Sequence, residues 1–160
     1  MKRINGFSLL EVIISIAALS FTSMFILNMF LVSSQVNQRA KNMDVAITVA
    51  ITEIDMMKKY NILSDYINAN ESSENVINND LIQIKKYYDN EWRPTTVGKK
   101  DAYYCMILEM TYNGASLGSM EGVQYGKIFE VEVRIFEYDP NHEPINGLVE
   151  IRTKKYFDGM

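Results

Sequence analysis

An apolar run from Phe7 to about Val32 constrains this chain more than any other feature. It covers about 26 residues, or roughly 39 Å as a helix at about 1.5 Å per residue. That exceeds a hydrocarbon core of about 30 Å. One charged residue, Glu11, lies near its start. An ionised carboxylate within a spanning segment costs a few kcal/mol, so its position needs a physical reason. Lys2 and Arg3 precede the run, and the next basic residue is Arg39. This asymmetry predicts a cytoplasmic N-terminus, with the remainder of the chain outside the membrane.

The rest of the composition narrows the function by exclusion. A chain of 160 residues holds one domain, or one small domain and a tail. A formal net charge of −4 and a pI near 5.1 offer no electrostatic footprint for nucleic acid, so direct contact with it is not expected. The single cysteine, Cys105, rules out an intramolecular disulfide and a cysteine-based metal cluster. The single histidine, His142, argues against histidine-based catalysis. Asp139, Asn141 and Glu143 alternate like the start of a calcium loop, but Pro144 falls where such a loop needs glycine. Gly114, Gly118, Gly122 and Gly126 are spaced like a phosphate loop without its Gly-Lys-Ser/Thr ending. With no nucleophile–base pair, metal set or cofactor motif in view, the expectation is not an enzyme, with no catalytic residue, cofactor or metal.

Three readings of the N-terminal segment compete. A secretory signal peptide has an apolar region of about 7–15 residues, and this run is longer. A plain single-pass anchor fits the length but leaves Glu11 unexplained. The third reading rests on Gly6-Phe7-Ser8-Leu9-Leu10-Glu11, set between a short basic leader and the apolar run. This pattern resembles the processing signal of type IV pilins and the pseudopilins of type II secretion.

The resemblance implies a leader at 1–6, removed by a membrane prepilin peptidase that cuts between Gly6 and Phe7 and methylates the new amine of Phe7. Glu11 matches the family's glutamate, four residues after that amine. The ammonium of Phe7 would lie in an apolar environment once subunits pack through their helices. A carboxylate from a neighbour can neutralise it, and a buried pair costs far less than either charge alone. Glu11 is then an assembly residue that also sets axial register. The bland alternative makes it an interfacial residue near the cytoplasmic headgroups, where the cost of a charge is lower. Many family members carry a proline about two-thirds along the apolar segment. Here Asn28 stands in its place, and no proline occurs before Pro94.

Beyond the run, Val36, Ala40, Met43, Ile47, Ala50, Ile54 and Met57 recur at spacings of three and four. Polar residues, Glu53 among them, fill the intervening positions. No Gly or Pro interrupts the chain from Phe7 to Tyr60. The pattern predicts one continuous helix, apolar all round over 7–32 and one-sided over 33–60, laid on a globular part at 61–160.

Within 61–160, residues 68–80 and 89–101 read as loops, and 81–88 is open between a short helix and a strand. Three strands follow, over 102–112, 127–138 and 147–157. Tyr104, Met106, Leu108, Met110 and Tyr112 share one face of the first. Phe129, Val131, Val133 and Ile135 share one face of the second. Val149 and Ile151 share one face of the third. Residues 139–146 read as a turn-rich loop. Cys105 alternates onto the less apolar face, where exposure is possible. Asn70-Glu71-Ser72 is a glycosylation sequon by pattern alone. The expected fold is α+β: a long N-terminal helix on an antiparallel sheet of three to four strands, as the pilin resemblance also implies.

Function follows the resemblance. The chain is expected to be a structural subunit, minor rather than major, of a type IV pilus or related filament. Its partners would be prepilin peptidase, other pilin or pseudopilin subunits, and the membrane platform protein of the assembly machine. It would sit in the inner or cytoplasmic membrane before joining an external filament. A minor pseudopilin of a secretion or competence DNA-uptake system is an alternative. A tip adhesin is another, with Trp92, Tyr125 and His142 as loop contacts.

Overall fold

A computed structural model describes residues 8–70, 74–78, 81–95, 102–116, 126–139 and 142–158. Helix α1 (Leu9–Lys58) is an unbroken 50-residue α-helix. A short helix, α2 (Leu63–Asn68), follows it. Among the described residues five strands follow: β1 (Glu74–Ile77), β2 (Leu81–Tyr88), β3 (Tyr104–Ser116), β4 (Lys127–Asp139) and β5 (His142–Phe157). They form one antiparallel sheet in the order β1-β2-β3-β4-β5. The chain divides into two compact units, meeting within α1 between Lys41 and Asn42.

The α+β architecture matches the sequence reading, with five strands where three to four are expected. Residues 81–88 are a strand. Ile82, Ile84 and Tyr88 are buried on its inner face, while Gln83, Lys85 and Tyr87 alternate outward. β1 lies within the predicted loop at 68–80. It is short, and Asn75, Val76 and Ile77 carry little periodicity that a sequence could show. The predicted turn at 139–146 is mostly strand. Asp139 pairs with His142, so β5 begins five residues earlier than expected. α2 also lies outside the predicted elements.

The core is the inner face of the sheet covered by α1 and α2. Met106, Leu108, Met110, Val133 and Ile135 are fully buried there, as their alternation predicts. Between Ile135 and Phe136 the β4–β5 register shifts: Ile135 faces Val149 and Phe136 faces Gly147. The extra residue, Leu148, is buried, so the bulge adds a side chain to the core.

The outer face is an ionic lattice set by register. Glu130 faces Lys154, Glu132 faces Arg152, and Arg134 faces Glu150 across β4 and β5. Lys154 reaches Glu130 at 3.3 Å and Arg152 reaches Glu132 at 3.4 Å. Glu109 and Glu132 stand directly opposite, an unfavourable pairing of like charges. Arg134 bridges them, 2.6 Å from Glu109 and 3.9 Å from Glu132. A register slip of one residue would send these charges inward, so the pairs specify alignment more than they add stability.

The face that α1 presents to the sheet differs from the predicted stripe. Ala46, Ala50, Glu53, Ile54 and Met57 are buried. Val36, Met43 and Ile47 are exposed, at 59, 39 and 39 %, and Ala40 is exposed as well. The stripe holds only for Ala50, Ile54 and Met57. The helix is turned toward Ala46 and Glu53. It ends at Lys58 rather than Tyr60, where Lys59 and Tyr60 close with bonds to Met56 and Met57 carbonyls three residues back. Lys155 Nζ donates to the Lys58 carbonyl at 3.2 Å, a cation at a helix C-terminus. The backbone of Asp158 donates to Asn61 at 2.9 Å, so the end of β5 ties down the exit of the helix.

Gly126, the last of the four spaced glycines, opens β4 beside the end of β5. A Cβ there would collide with the backbone carbonyl of Phe157. The backbone N–H of Gly126 donates to the Tyr156 hydroxyl at 3.1 Å. Gly126→Ala should destabilise the sheet domain by about 1–3 kcal/mol, the usual cost of forced overpacking. Chemical denaturation of the full chain in detergent micelles measures this, and an unchanged midpoint would contradict the close approach.

Candidate functional site

The N-terminus of α1 carries the residues singled out by the sequence. Gly6 and Phe7 lie outside the described residues. Glu11 is in the first turn of α1. Its backbone N–H donates to the Ser8 Oγ at 3.2 Å, and its Oε2 accepts from the Ser8 N–H at 3.4 Å. These two bonds form a capping box, with Ser8 as N-cap. The Ser-x-x-Glu spacing carries that signal in the sequence, yet the sequence reading places Glu11 beside the Phe7 amine or at the headgroup interface and not in a cap.

Magnitudes separate the two roles. An N-cap contributes about 0.5–2 kcal/mol. A carboxylate near the positive end of a helix dipole adds about 0.3–1 kcal/mol. A charge deep in hydrocarbon costs about 2.5–3.5 kcal/mol on insertion scales, and less near an interface. Local capping therefore offsets part of the cost of Glu11, and a second cation would offset the rest.

Below the cap, α1 is apolar on every side and uncovered. Leu9, Phe21, Met24, Met29 and Phe30 are each about two-thirds exposed or more, and the most apolar window of the helix buries none of its residues. No charged residue occurs from Val12 to Gln38. The hydroxyls that interrupt the run are internally satisfied. Ser15 donates to the Glu11 carbonyl at 2.7 Å; Ser20, Thr22 and Ser23 donate to carbonyls four residues back at 2.8 Å. Such a surface suits hydrocarbon or other helices, because its hydroxyls are satisfied within the helix and Asn28 is the amide left for a neighbour. α1 is long and apolar enough to cross a membrane. It stays helical through Asn28, so the missing proline leaves the hydrogen-bonded ladder intact.

The loop candidates fare differently. Trp92 stacks on Tyr104 at 3.9 Å with a 10° interplanar angle, and Tyr88 flanks it at 6.2 Å. Its backbone is left-handed, with φ of 64°. Asp89 holds that turn by accepting the N–H groups of Glu91 and Arg93 at 2.8 and 2.9 Å. Trp92 thus closes one end of the inner sheet face, a packing role rather than a displayed contact. Tyr125 lies outside the described residues. His142 is a strand residue opposite Asp139. Cys105 is buried, where its alternation allowed exposure. Asn70 of the sequon is buried too, and its Nδ2 donates to the Tyr66 carbonyl at 2.9 Å, so the folded chain does not offer it to modification.

One cluster has no counterpart in the sequence reading. Glu53 of α1 is buried, at 7 % exposure. Its Oε1 accepts from the Tyr66 hydroxyl of α2 and its Oε2 from Lys86 Nζ of β2, both at 2.7 Å. Lys86 lies in line with Ile82, Ile84 and Tyr88 on the inner face of β2. The sequence signal for this cluster is faint: a charged residue at an inward position of a strand, and another beside an apolar stripe.

Burial and the neighbouring Glu53 carboxylate hold the Tyr66 hydroxyl protonated well above the usual tyrosine range, and Tyr88 is raised for the same two reasons. In the unfolded chain both ionise near pH 10. The unfolded state then binds fewer protons than the folded one, so stability falls as pH rises through about 10. Below that value their contribution is fully present. Thermal unfolding of the full chain in micelles at about pH 8 and about pH 11 should show this loss. A Tyr66→Phe/Tyr88→Phe variant should lose less over the same interval, and an equal loss would assign the effect to other groups.

Comparison of the chain with family models, with characterised proteins and with solved structures finds no match.

Proposed function

We propose that this chain is a structural subunit, of the minor pilin type, of a type IV pilus or a related filament. Prepilin peptidase cuts it between Gly6 and Phe7, and it assembles through α1. The observation that carries this reading is the contrast along one helix. The N-terminal half of α1 is uncovered and apolar on all sides, while the C-terminal half is docked on a sheet. A helix apolar all round needs lipid or other helices as its solvent. Such a segment serves a subunit that waits in a membrane and then moves into a bundle of like helices, since both environments satisfy the same surface.

Glu11 fits that sequence of events. At the membrane stage it lies in the first turn of α1, held by Ser8. After processing, the ammonium of Phe7 on a neighbouring subunit supplies the cation that capping alone does not. The sheet domain stands outside the membrane, and the basic leader holds the N-terminus on the cytoplasmic side. Partners are the peptidase, other subunits and the platform protein of the assembly machine. In this reading the chain has no catalytic role.

Two measurements test it. The N-terminus of protein taken from its native membrane should be methylated Phe7, and a chain still beginning at Met1 would sink the proposal. Glu11→Gln keeps an acceptor for the Ser8 N–H but removes the charge. It should be cleaved normally yet enter filaments poorly. Normal incorporation would reduce Glu11 to a helix cap.

A further inference from the structure

We propose that Glu53, Tyr66 and Lys86 form a register lock that selects which face of α1 docks on the sheet, a choice that apolar packing alone leaves open. The argument starts from what the helix buries. Its inward residues near the sheet include two alanines, Ala46 and Ala50, and a glutamate. Larger apolar residues beside them stay outside: Met43 and Ile47 are each 39 % exposed and Ile51 is 48 % exposed. Successive residues turn by about 100° on a helix. Ile47 lies about 100° and Ile51 about 140° around the helix from Ala46, so a rotation of about a quarter turn would bury them in place of Ala46, Glu53 and Met57. Burial of apolar area is non-directional and favours the larger side chains. By that measure a face with Met43, Ile47 and Ile51 competes with the observed one.

The lock supplies the direction. Glu53 engages both carboxylate oxygens at 2.7 Å, one with α2 and one with β2. Rotation or axial slip of α1 would separate Glu53 from both partners at once. It would also leave Lys86, on the inner face of its strand, facing apolar side chains. A buried ion pair adds little net stability over apolar residues of similar size, and fixing register is its best-attested use. Ala46 and Ala50 add little bulk to the face that carries Glu53 toward Lys86. A consequence is that the Met43, Ile47 and Ile51 flank remains uncovered.

Methyl NMR of the full chain in detergent micelles tests the lock, reading Ile54, Met57, Ile84 and Leu108, with thermal unfolding alongside. In the triple variant Glu53→Met/Tyr66→Phe/Lys86→Met the expected result is a folded protein with a thermal midpoint equal to or above the parent. Its core methyl signals should be split or broadened as α1 samples more than one face. Lys86→Met alone strands Glu53 with only Tyr66, and its midpoint should fall below that of the triple variant. A single sharp set of parent-like signals in the triple variant would overturn the proposal, because packing would then suffice to choose the face. Failure of the triple variant to fold would overturn it too, by making the cluster a source of stability rather than of register.

Discussion

The apolar surface of α1 has no aqueous solution, and the rest of the molecule is arranged around that fact. Fully burying one large apolar side chain is worth about 1.5–3 kcal/mol, and the segment from Leu9 to Val32 presents such side chains in every direction. Among the described residues, nothing covers its most apolar stretch. The hydroxyls of Ser15, Ser20, Thr22 and Ser23 are tied back to the helix's own carbonyls, and its one acid sits in the first turn, where backbone N–H groups point. Each feature lowers the cost of placing the helix in a medium without water.

Past Lys41 the helix meets a different requirement. There it must hold a five-stranded sheet in one orientation, and its apolar residues do not specify which. Ala46 and Ala50 allow close approach without demanding it, and Met43, Ile47 and Ile51 offer a competing face. A directional contact resolves that degeneracy. Glu53 provides it through hydrogen bonds to two separate elements. The sheet uses the same device on its outer side, where Arg134 bridges two opposed glutamates and the β4–β5 charges match pair by pair.

Much of this was legible in the residues. The length of α1, the inward faces of β3 and β4, and the cross-strand charges follow from spacing, because each depends on a period of 3.6 or two repeated over many residues. β1, α2 and the early start of β5 were not legible, since short elements carry too few repeats to be told from loops. The docking face was misread toward Val36, Met43 and Ile47 because a stripe of apolar residues reports what can be buried, not what is. At the candidate site, Glu11 was conspicuous as the lone charge in an apolar run. The Ser8 cap beside it was written in the Ser-x-x-Glu spacing, which the intersubunit explanation overshadowed.

The sequence by itself determined that this chain carries a membrane-length helix with an acid at its start, followed by a helix-on-sheet domain. Those properties reside in composition and period, which act locally along the chain. Only the tertiary structure decided that Glu53, Tyr66 and Lys86 meet, that Cys105 and Asn70 are buried, and that Ala46 rather than Ile47 faces the sheet. Those outcomes depend on contacts between residues distant in sequence. Hydrogen bonds reward a single geometry there, whereas apolar burial is nearly indifferent to it.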